Sequence, residues 1–381
     1  MSIKTSWPKH SSNFLLIYNS EKKIFNMKQR NILLSTLFFM LCSATLVSCT
    51  NGSDTTESAD TTAIAETTVV AVSESKIVVN NEPYLIKGVC YHPVPKGSDK
   101  RSFSNLTQDL ALMVEAGINT IRVYSPIDDK AVLDEIHAAG IKVIIGFGYN
   151  QEGHFDMLSG SFLDYINKYK NHEAILLWEL GNEYNYHPEW FEGDIKNWYS
   201  ALNKAADLIH QNDSNHPVAT AHGELPDSLA LSSSPNIDVW GINIYRWDEP
   251  KSIFPLWAAV SSKPMYFSEA GADSYLTVDT GTYEKGINEK AQADATQRIL
   301  TETFGASDIC SGVTLYAFVD EWWKAGNPNQ QDPGGWAPYS SGVPYDGTAN
   351  EEYWGIVTLD RNKKESFDIV KNVFTGQSSN K

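Results

Sequence analysis

The chain has 381 residues, of which 42% are apolar and 20% charged, and its formal net charge is −17. This composition excludes a mostly disordered protein, and the excess of acid excludes nucleic acid as a partner, because phosphate contacts need clusters of basic residues. The eleven Trp exceed the number that core packing usually needs, and exposed aromatic rings are a common means of holding sugars. A carbohydrate ligand is therefore the first hypothesis.

Residues 1–48 are predicted to be a lipoprotein signal peptide. Lys28 and Arg30 precede an apolar run over 32–47, which is as long as the core of a signal peptide and short for a membrane span. The run ends in Leu-Val-Ser-Cys, which resembles a bacterial lipobox. The resemblance implies that Cys49 carries lipid, such as palmitate, and becomes the first residue of the mature chain. An ordinary signal peptide or a short anchor is the alternative.

The next segment, 49–75, is rich in Thr, Ser and acidic residues and has no aromatic residue, so it is predicted to be a flexible tether. An acidic stretch directly after a lipidated Cys resembles the surface-export signals of some Gram-negative lipoproteins. We expect attachment to the bacterial outer membrane through the lipid anchor alone, with the cell surface as one location. Met27 directly precedes the basic pair of the signal, so it is a second candidate for the start of translation.

Residues 76–378 are predicted to form one (β/α)8 TIM barrel, an α/β fold. Apolar runs of strand length recur along this segment, and most are apolar throughout, as is typical of parallel strands covered on both faces. The predicted strands cover 84–90, 120–124, 142–147, 174–180, 217–221, 239–245, 265–269 and 312–319. The predicted helices cover 105–116, 130–139, 155–169, 195–211, 288–304 and 367–374. Strands and helices that alternate in this number are typical of the closed barrel.

A short segment at 77–84, with a turn at Asn80-Asn81, predicts a hairpin that covers the bottom of the barrel. An open doubly wound sheet is the alternative fold, and it is disfavoured because no Gly-rich phosphate loop follows the first strand. Cys90 and Cys310 fall near opposite ends of neighbouring predicted strands, so we expect two buried thiols and no disulfide.

Two of the predicted strands end in a carboxylate. The fourth ends in Trp-Glu-Leu-Gly-Asn-Glu, which closes on Glu183, and the seventh ends in Phe-Ser-Glu-Ala-Gly, in which Glu269 closes the strand. The carboxyl ends of barrel strands meet at one face, where barrel enzymes carry their chemistry. Two carboxylates suit glycosidic cleavage, because one donates a proton to the leaving oxygen while the other attacks or stabilises the anomeric carbon.

These runs, 178–183 and 267–271, resemble the strand-4 and strand-7 motifs of clan A glycoside hydrolases, which are retaining (β/α)8 enzymes. The resemblance implies that Glu183 is the acid/base, that Glu269 is the nucleophile and that Asn182 holds the sugar 2-hydroxyl.

Further positions match the same clan. Arg122 resembles the strand-2 Arg that lies beside the nucleophile, and Tyr245 resembles the strand-6 Tyr that hydrogen-bonds it. Trp322 and Trp323 follow the eighth strand, where the clan often places a sugar-stacking Trp. The resemblance spans 77–375, and it implies an enzyme that cleaves O-glycosyl bonds.

The motifs favour β-1,3-glucan as the substrate within the clan. Residues 117–124 resemble β-1,3-glucanases and fungal β-1,3-glucanosyltransferases, whereas 320–324 and 350–355 resemble bacterial β-glucanases and the β-galactosidase/glucuronidase family. The acidity disfavours an anionic polysaccharide, so a neutral oligo- or polysaccharide is expected. The alternative substrates are β-mannan, β-1,4-glucan or a β-galactoside, and the alternative reaction is transglycosylation in place of hydrolysis. The alternative class of protein is a non-catalytic glycan-binding protein of the cell surface. We expect a monomer.

Other side chains are candidates for the sugar site. His92 and His222 end the first and fifth strands, and each either lines the site or hydrogen-bonds a loop. Trp336 lies in a loop rich in Gly and Pro, between Trp323 and Asn350, that is predicted to form one wall of the cleft.

Glu179 points to the same side of its strand as Glu183 but one layer deeper, so it is predicted to be structural and paired with Arg122 or Lys142. No cofactor is expected. No metal site is predicted, because the chain has no pair of His or Cys with ligand spacing. Calcium bound in the loop that contains Asp332 and Asp346 is the alternative to this prediction.

Overall fold

The computed structural model describes residues 68–149, 155–333, 337–338 and 345–377. The predicted signal peptide, Cys49, most of the predicted tether and Trp336 lie outside these residues. Within the described ranges, no helix is long and apolar enough to cross a membrane.

Eight parallel strands close into a barrel, which confirms the predicted (β/α)8 fold. The described residues also form short strands outside the barrel. In chain order all the strands are β1 Val70–Ser73, β2 Lys76–Val79, β3 Glu82–Pro83, β4 Ile86–Cys90, β5 Thr120–Val123, β6 Lys142–Phe147, β7 Ile175–Asn182, β8 Val218–Gly223, β9 Val239–Asn243, β10 Met265–Ala270, β11 Tyr275–Leu276, β12 Gly286–Ile287, β13 Cys310–Leu315, β14 Ala337–Pro338 and β15 Thr348–Ala349. The barrel runs from β4 through β10 to β13, and β13 pairs with β4, so that Gly312 lies opposite Ile86.

Helices follow the barrel strands. They are α1 Leu106–Glu115, α2 Lys130–Ala138, α3 Phe162–Tyr169, α4 Ile195–Asn212, α5 Ser228–Ser233, α6 Ile253–Val260, α7 Glu289–Phe304 and α8 Glu365–Thr375. Polar side chains cap the starts of four of them, α2, α4, α5 and α7. Asp129 and Asp194, for example, each accept a hydrogen bond from the backbone N–H two residues ahead. Gly117 and Gly140, both at φ 74°, follow the ends of α1 and α2, where the left-handed conformation stops a helix.

A three-stranded antiparallel sheet, β1–β3, covers the bottom of the barrel. The predicted turn is present, with Asn80 and Asn81 both in the left-handed region. β1 lies within the segment expected to be tether, and that expectation is wrong for its last residues. Val70 is buried because it packs, with Ile77, against the barrel residue Ile86.

The helix predicted from residue 155 begins at Phe162, and two helices were not predicted. α6 is apolar almost all round, which hides the helical period, and it contains a Pro that is tolerated only in its first turn. α5 has six residues, too few for a periodic signal. Cys90 and Cys310 are free and buried, as predicted.

Candidate active site

Glu183 and Glu269 lie at the carboxyl ends of β7 and β10. The end of β7 is shaped by two left-handed residues, Gly181 at φ 73° and Glu183 at φ 55°. A Cβ at Gly181 would lie 2.6 Å from the ring of Trp198, so this position accepts only glycine. The resulting bend brings Glu183 to the mouth of the barrel, where its backbone N–H donates to the carbonyl of Ala221 in β8 at 2.9 Å.

Glu269 accepts hydrogen bonds from three side chains. Arg122 Nη1 and Tyr124 Oη both donate to its Oε1 at 2.8 Å, and Tyr245 Oη donates to its Oε2 at 2.6 Å. Burial first, and then nearby negative groups that include Glu269, raise the pKa of both tyrosines well above the usual range, so their hydroxyls remain donors. The negative charge of Glu269 is therefore stabilised from both of its oxygens.

Arg122 joins the carboxylates to the asparagine that precedes Glu183. Its side chain is fully buried, and it donates from Nε to Glu179 Oε1 and from Nη2 to Asn182 Oδ1, both at 2.8 Å. Glu179 also accepts from the hydroxyl of Tyr266. The prediction of a structural Glu179 paired with Arg122 is confirmed, because this buried charge pair fixes the guanidinium fork that reaches Glu269.

Asn243 connects Asn182 with Glu183. Its Nδ2 donates to Asn182 Oδ1 and to Glu183 Oε1, both at 3.1 Å, while Ser268 Oγ donates to its Oδ1 at 2.6 Å. These bonds identify the oxygen and nitrogen ends of both amides. Asn182 accepts two hydrogen bonds through its oxygen, so its own N–H groups are the part of the side chain suited to bind a substrate oxygen.

Glu183 lies in surroundings opposite in character to those of Glu269. Burial raises the pKa of Glu183 to about 7, and the negative charge of Glu269 acts in the same direction. The hydrogen bond from Asn243 and the charge of Arg122 oppose this shift without cancelling it. Glu269 thus receives three hydrogen bonds, one of them from a cation, whereas Glu183 has one side-chain donor and keeps a proton up to about neutral pH.

A second layer of side chains surrounds this pair. The edge of Trp354 packs on Tyr245, with ring centroids 5.1 Å apart, and on Tyr316 at 5.6 Å. Lys324 donates to the hydroxyl of Tyr316 and to Glu351 Oε2, the latter at 3.1 Å. Burial disfavours the charge of Lys324, but Glu321, Glu351 and Glu269 outweigh it and raise the pKa of the ammonium group.

The ring of His92 packs near two aromatic side chains, Tyr124 and the predicted Trp323. The ring of His92 lies 5.4 Å from Trp323 and 6.4 Å from Tyr124, and burial lowers the pKa of His92 to about 4, so the imidazole is neutral. Trp322 is half-buried beneath Lys96, whose Nζ lies 4.6 Å from the ring centre.

Four buried N atoms in this region have no hydrogen-bond partner among the described residues: His92 Nδ1 and the indole Nε1 of Trp322, Trp323 and Trp354. Buried polar atoms are almost always bonded in folded proteins. These atoms are therefore candidates for bonds to a bound molecule.

His222 does not fit the prediction that it contacts substrate. It is buried, its Nε2 lies 3.1 Å from the hydroxyl of Tyr199 in α4, and its Nδ1 lies 2.9 Å from the carbonyl oxygen of Glu224. Both ring nitrogens are thus occupied within the protein, and the alternative expectation, a hydrogen bond to a loop, is the correct one.

Tyr124, Asn243 and the cluster around Lys324 were not predicted from the sequence. Tyr124 follows Arg122 by two positions, so strand alternation placed both on the same side of β5, and that signal was present. Asn243 was visible as an amide in an otherwise apolar strand. Glu351 and Trp354 lie in the irregular connection between β13 and α8, where periodicity carries no information about contacts.

Comparisons with known proteins place the chain in a glycosidase family. The profile of the TIM barrel domain of glycosyl hydrolases family 2 matches residues 70–377. A beta-glucuronidase of Mus musculus is 27% identical over 235 residues, which are 54% of this chain and 33% of the mouse protein. A 1,3-beta-glucanosyltransferase of Saccharomyces cerevisiae is 25% identical over 240 residues, which are 52% of this chain and 50% of the yeast protein.

A solved beta-glucuronidase of Faecalibacterium prausnitzii superposes with a TM-score of 0.61 at 20% identity, over 82% of this chain and 52% of that one. At this identity the superposition establishes the shared fold alone. The chain spans a third to a half of the length of the curated relatives that it matches. The predicted membership of clan A is confirmed, whereas the narrower resemblance to glucanases has only the weak support of the yeast relative.

Proposed function

The chain belongs to the TIM barrel domain family of glycosyl hydrolases family 2, and from this premise we propose that it is a retaining β-glycosidase in which Glu269 is the nucleophile and Glu183 the acid/base. The observation that carries the proposal is the contrast between the two carboxyls. Three donors stabilise the charge of Glu269, whereas burial and that same charge raise the pKa of Glu183 to about 7. Nucleophile and acid need these opposite states at one pH.

In the first step, an oxygen of Glu269 bonds to the anomeric carbon as the glycosidic C–O bond breaks. The proton of Glu183 moves to the leaving oxygen, so the departing sugar leaves as a neutral alcohol. The products are a glycosyl ester on Glu269 and an ionised Glu183. The hydrogen bonds from Arg122, Tyr124 and Tyr245 orient the attacking carboxylate.

In the second step, Glu183 takes a proton from water while the water oxygen bonds to the anomeric carbon and the ester bond to Glu269 breaks. The switch from acid to base follows from the electrostatics of the pair. The charge of Glu269 raises the pKa of Glu183, and esterification removes that charge, so the pKa of Glu183 falls when a base is needed. A sugar hydroxyl in place of water gives transglycosylation, which is the alternative outcome of this step.

The groups around the two glutamates are suited to hold a sugar ring. Sugar hydroxyls both donate and accept, so they can bond the unpartnered N atoms of His92, Trp322, Trp323 and Trp354. The amide of Asn182, oriented by Arg122 and Asn243, is placed to bind a hydroxyl next to the reacting carbon.

A neutral β-glycan is the substrate class that we propose, with β-1,3-glucan first. Arg122 and Lys324, two cations near the glutamates, already have carboxylate partners among the described residues. Arg122 pairs with Glu179 and Glu269, and Lys324 with Glu351 and Glu321. A uronate carboxyl bound here would compete with these partners and meet their negative charge. The yeast relative named as a 1,3-beta-glucanosyltransferase supports a glucan. The mouse relative named as a beta-glucuronidase makes a β-glucuronide the alternative substrate.

The test is a substrate panel assayed with the mature chain and with Glu269→Gln. Reducing-end or chromophore release compares the substrates laminarin, β-1,4-glucan, β-mannan, β-galactan and aryl β-glucuronide. Mass spectra of the products detect chains longer than the substrate. The proposal expects release from a neutral β-glycan by the wild type and almost none by the variant. Equal activity of the two proteins would overturn the assignment of Glu269. Glycan binding with no cleavage by the wild type would favour the non-catalytic alternative.

We also propose that the protein is an outer-membrane lipoprotein anchored through Cys49 and monomeric on that anchor. The lipobox-like run before Cys49 supports the anchor. Growth with labelled palmitate should label the wild-type chain and leave Cys49→Ala unlabelled. Label on both proteins would contradict the proposed lipidation at Cys49.

A further inference from the structure

A cavity lies among the connections that leave the carboxyl ends of the barrel strands, the ends that also carry the two glutamates. It has a volume of about 440 Å³ and is lined by three aromatic rings, Trp247, Tyr283 and Tyr345, together with Asp294, Arg298 and two threonines. Trp247 follows β9, Tyr283 follows β10 and Tyr345 follows β13, so each ring stands on a connection that leaves the carboxyl end of a barrel strand. Asp294 and Arg298 lie in the first three turns of α7, which returns from that face.

One short segment of chain links the lining of the cavity to the reaction centre. Trp247 is two residues beyond Tyr245, whose hydroxyl donates to Glu269. Tyr345 belongs to the same β13–α8 connection as Glu351 and Trp354, which surround the glutamates. A chain molecule that passes through the reaction centre can therefore extend along this side of the mouth.

The rings hold one another in place. The ring centroids of Trp247 and Tyr345 are 4.5 Å apart, and those of Tyr283 and Tyr345 are 4.6 Å apart. The hydroxyl of Tyr345 donates to the carbonyl of Ala291 in α7 at 3.0 Å, and that of Tyr283 donates to Asp294 at 2.7 Å. All three rings are only half-buried, so they keep accessible surface in a fixed arrangement.

The chemistry of the lining matches a sugar better than an ion. Aromatic faces are electron-rich and attract C–H groups, which cover the faces of a pyranose ring. Hydroxyls at the rim of such a ring bind carboxylate, guanidinium and hydroxyl side chains. Asp294 and Arg298 carry opposite charges one helical turn apart, and Lys290 Nζ donates to Asp294 at 2.7 Å. The cavity thus has no large excess of either sign, which suits a neutral ligand.

We propose that this cavity is a distal subsite that binds a neutral sugar unit of the glycan chain, away from the bond that is cleaved. The subsite rests on the proposed function, since it assigns the substrate as a chain long enough to reach from Glu269 past Trp247. It gives the enzyme a preference for oligosaccharides and polymers over disaccharides.

The test uses the mature chain carrying Glu269→Gln, so that bound glycan is not consumed. Calorimetric titration with a β-1,3-linked disaccharide and with the heptasaccharide gives the ratio of the two affinities. Adding Trp247→Ala, or separately Tyr283→Ala, should lower the heptasaccharide-to-disaccharide ratio about tenfold, the effect of losing one well-packed aromatic contact. Tyr283 lies in an irregular connection, so its variant covers the case in which Trp247→Ala folds poorly. Val278→Ala is the control, because Val278 is exposed in the same connection and does not line the cavity.

The outcomes separate the subsite from the reaction. The subsite is overturned if the Glu269→Gln parent binds the heptasaccharide but both aromatic variants leave the affinity ratio unchanged. That result does not contradict the proposed reaction. The subsite is also overturned if the wild type cleaves an aryl β-glycoside but the Glu269→Gln parent binds heptasaccharide no better than disaccharide. A wild type that cleaves no β-glycoside overturns the proposed function, and the subsite with it.

Discussion

Arg122 Nη1 lies 2.8 Å from Glu269 Oε1, and the same guanidinium holds Glu179 and Asn182 with its other two nitrogens. One buried side chain therefore sets the position of the proposed nucleophile and of the residue next to the proposed acid. This arrangement makes the stability of the barrel and its chemistry depend on a single cation.

Arg122→Met should cost about 3–5 kcal/mol of unfolding free energy, because it leaves Glu179 and Glu269 as buried charges without their cationic partner. Urea unfolding of the variant measures the loss. The matched control is Lys130→Met, which breaks an exposed pair with Asp134 and should change stability by less than about 1 kcal/mol. Similar values for the two variants would show that the buried cluster contributes no more than a surface pair.

Glu269→Gln should lower kcat by a factor on the order of 10⁴ or more, as removal of a covalent nucleophile does in other enzymes. The amide has nearly the same shape and is not expected to disturb the fold. Circular dichroism and single-turnover assays on an aryl β-glycoside separate lost chemistry from lost structure. A properly folded variant that retains a tenth of the wild-type rate would exclude Glu269 as the nucleophile.

The activity should fall as pH rises through about 7. The acid must be protonated to act, and burial together with the charge of Glu269 raises the pKa of Glu183 to about 7. The protonated form is abundant below this value and is lost above it. The measurement is kcat/KM against pH, and Glu183→Gln should abolish the alkaline limb.

An aryl glycoside with a 2,4-dinitrophenyl leaving group provides the control for that assignment. This leaving group departs without a proton, so its release in the first step should be nearly insensitive to Glu183→Gln. Equal losses on activated and unactivated substrates would contradict the role of Glu183 as the acid.

Asn243→Ala should move the alkaline limb to higher pH. The hydrogen bond from Asn243 lowers the pKa of Glu183, and its removal lets the opposing effect of burial act more fully. The same variant frees Asn182 Oδ1 from one of its two donors, so KM should rise as the amide loses its fixed orientation. A limb at unchanged pH would show that Asn243 does not act on Glu183.

Glu351→Gln should raise the ratio of β-glucuronidase to β-glucosidase activity. The change removes one negative charge near the sugar site and takes away one of the carboxylate partners of Lys324. A uronate should therefore bind more favourably by an amount on the order of 1 kcal/mol, which is about fivefold in affinity. Paired assays with aryl β-glucoside and aryl β-glucuronide measure the ratio. A ratio that stays constant would contradict the electrostatic basis of the neutral-substrate proposal.

The barrel and the positions of the two glutamates could be predicted from the sequence because both follow from patterns of neighbouring residues. The strands are continuous apolar runs, and Glu183 and Glu269 stand where such runs end. Strand parity also placed Glu179 beneath Glu183, and its bond to Arg122 follows that geometry.

The remainder depends on packing between distant segments. The environment of His222 is decided by Tyr199, which arrives on a neighbouring helix, and no local pattern reports that contact. β1 falls within the predicted tether because its four residues follow a Thr-rich stretch, although Val70 is buried by the barrel bottom. The two carboxylates that pair with Lys324, those of Glu321 and Glu351, come from separate places in one irregular connection, where the chain has no period to interpret.

The most direct test of the proposed mechanism is to trap the covalent intermediate. Incubation with an activated 2-deoxy-2-fluoro-β-glycoside slows the second step more than the first, so a glycosyl-enzyme should accumulate. Mass spectrometry of the intact mature chain and of its peptides should find one added sugar on the peptide that contains Glu269. A sugar on a different residue would contradict the proposed mechanism. So would NMR spectra that show products of inverted anomeric configuration.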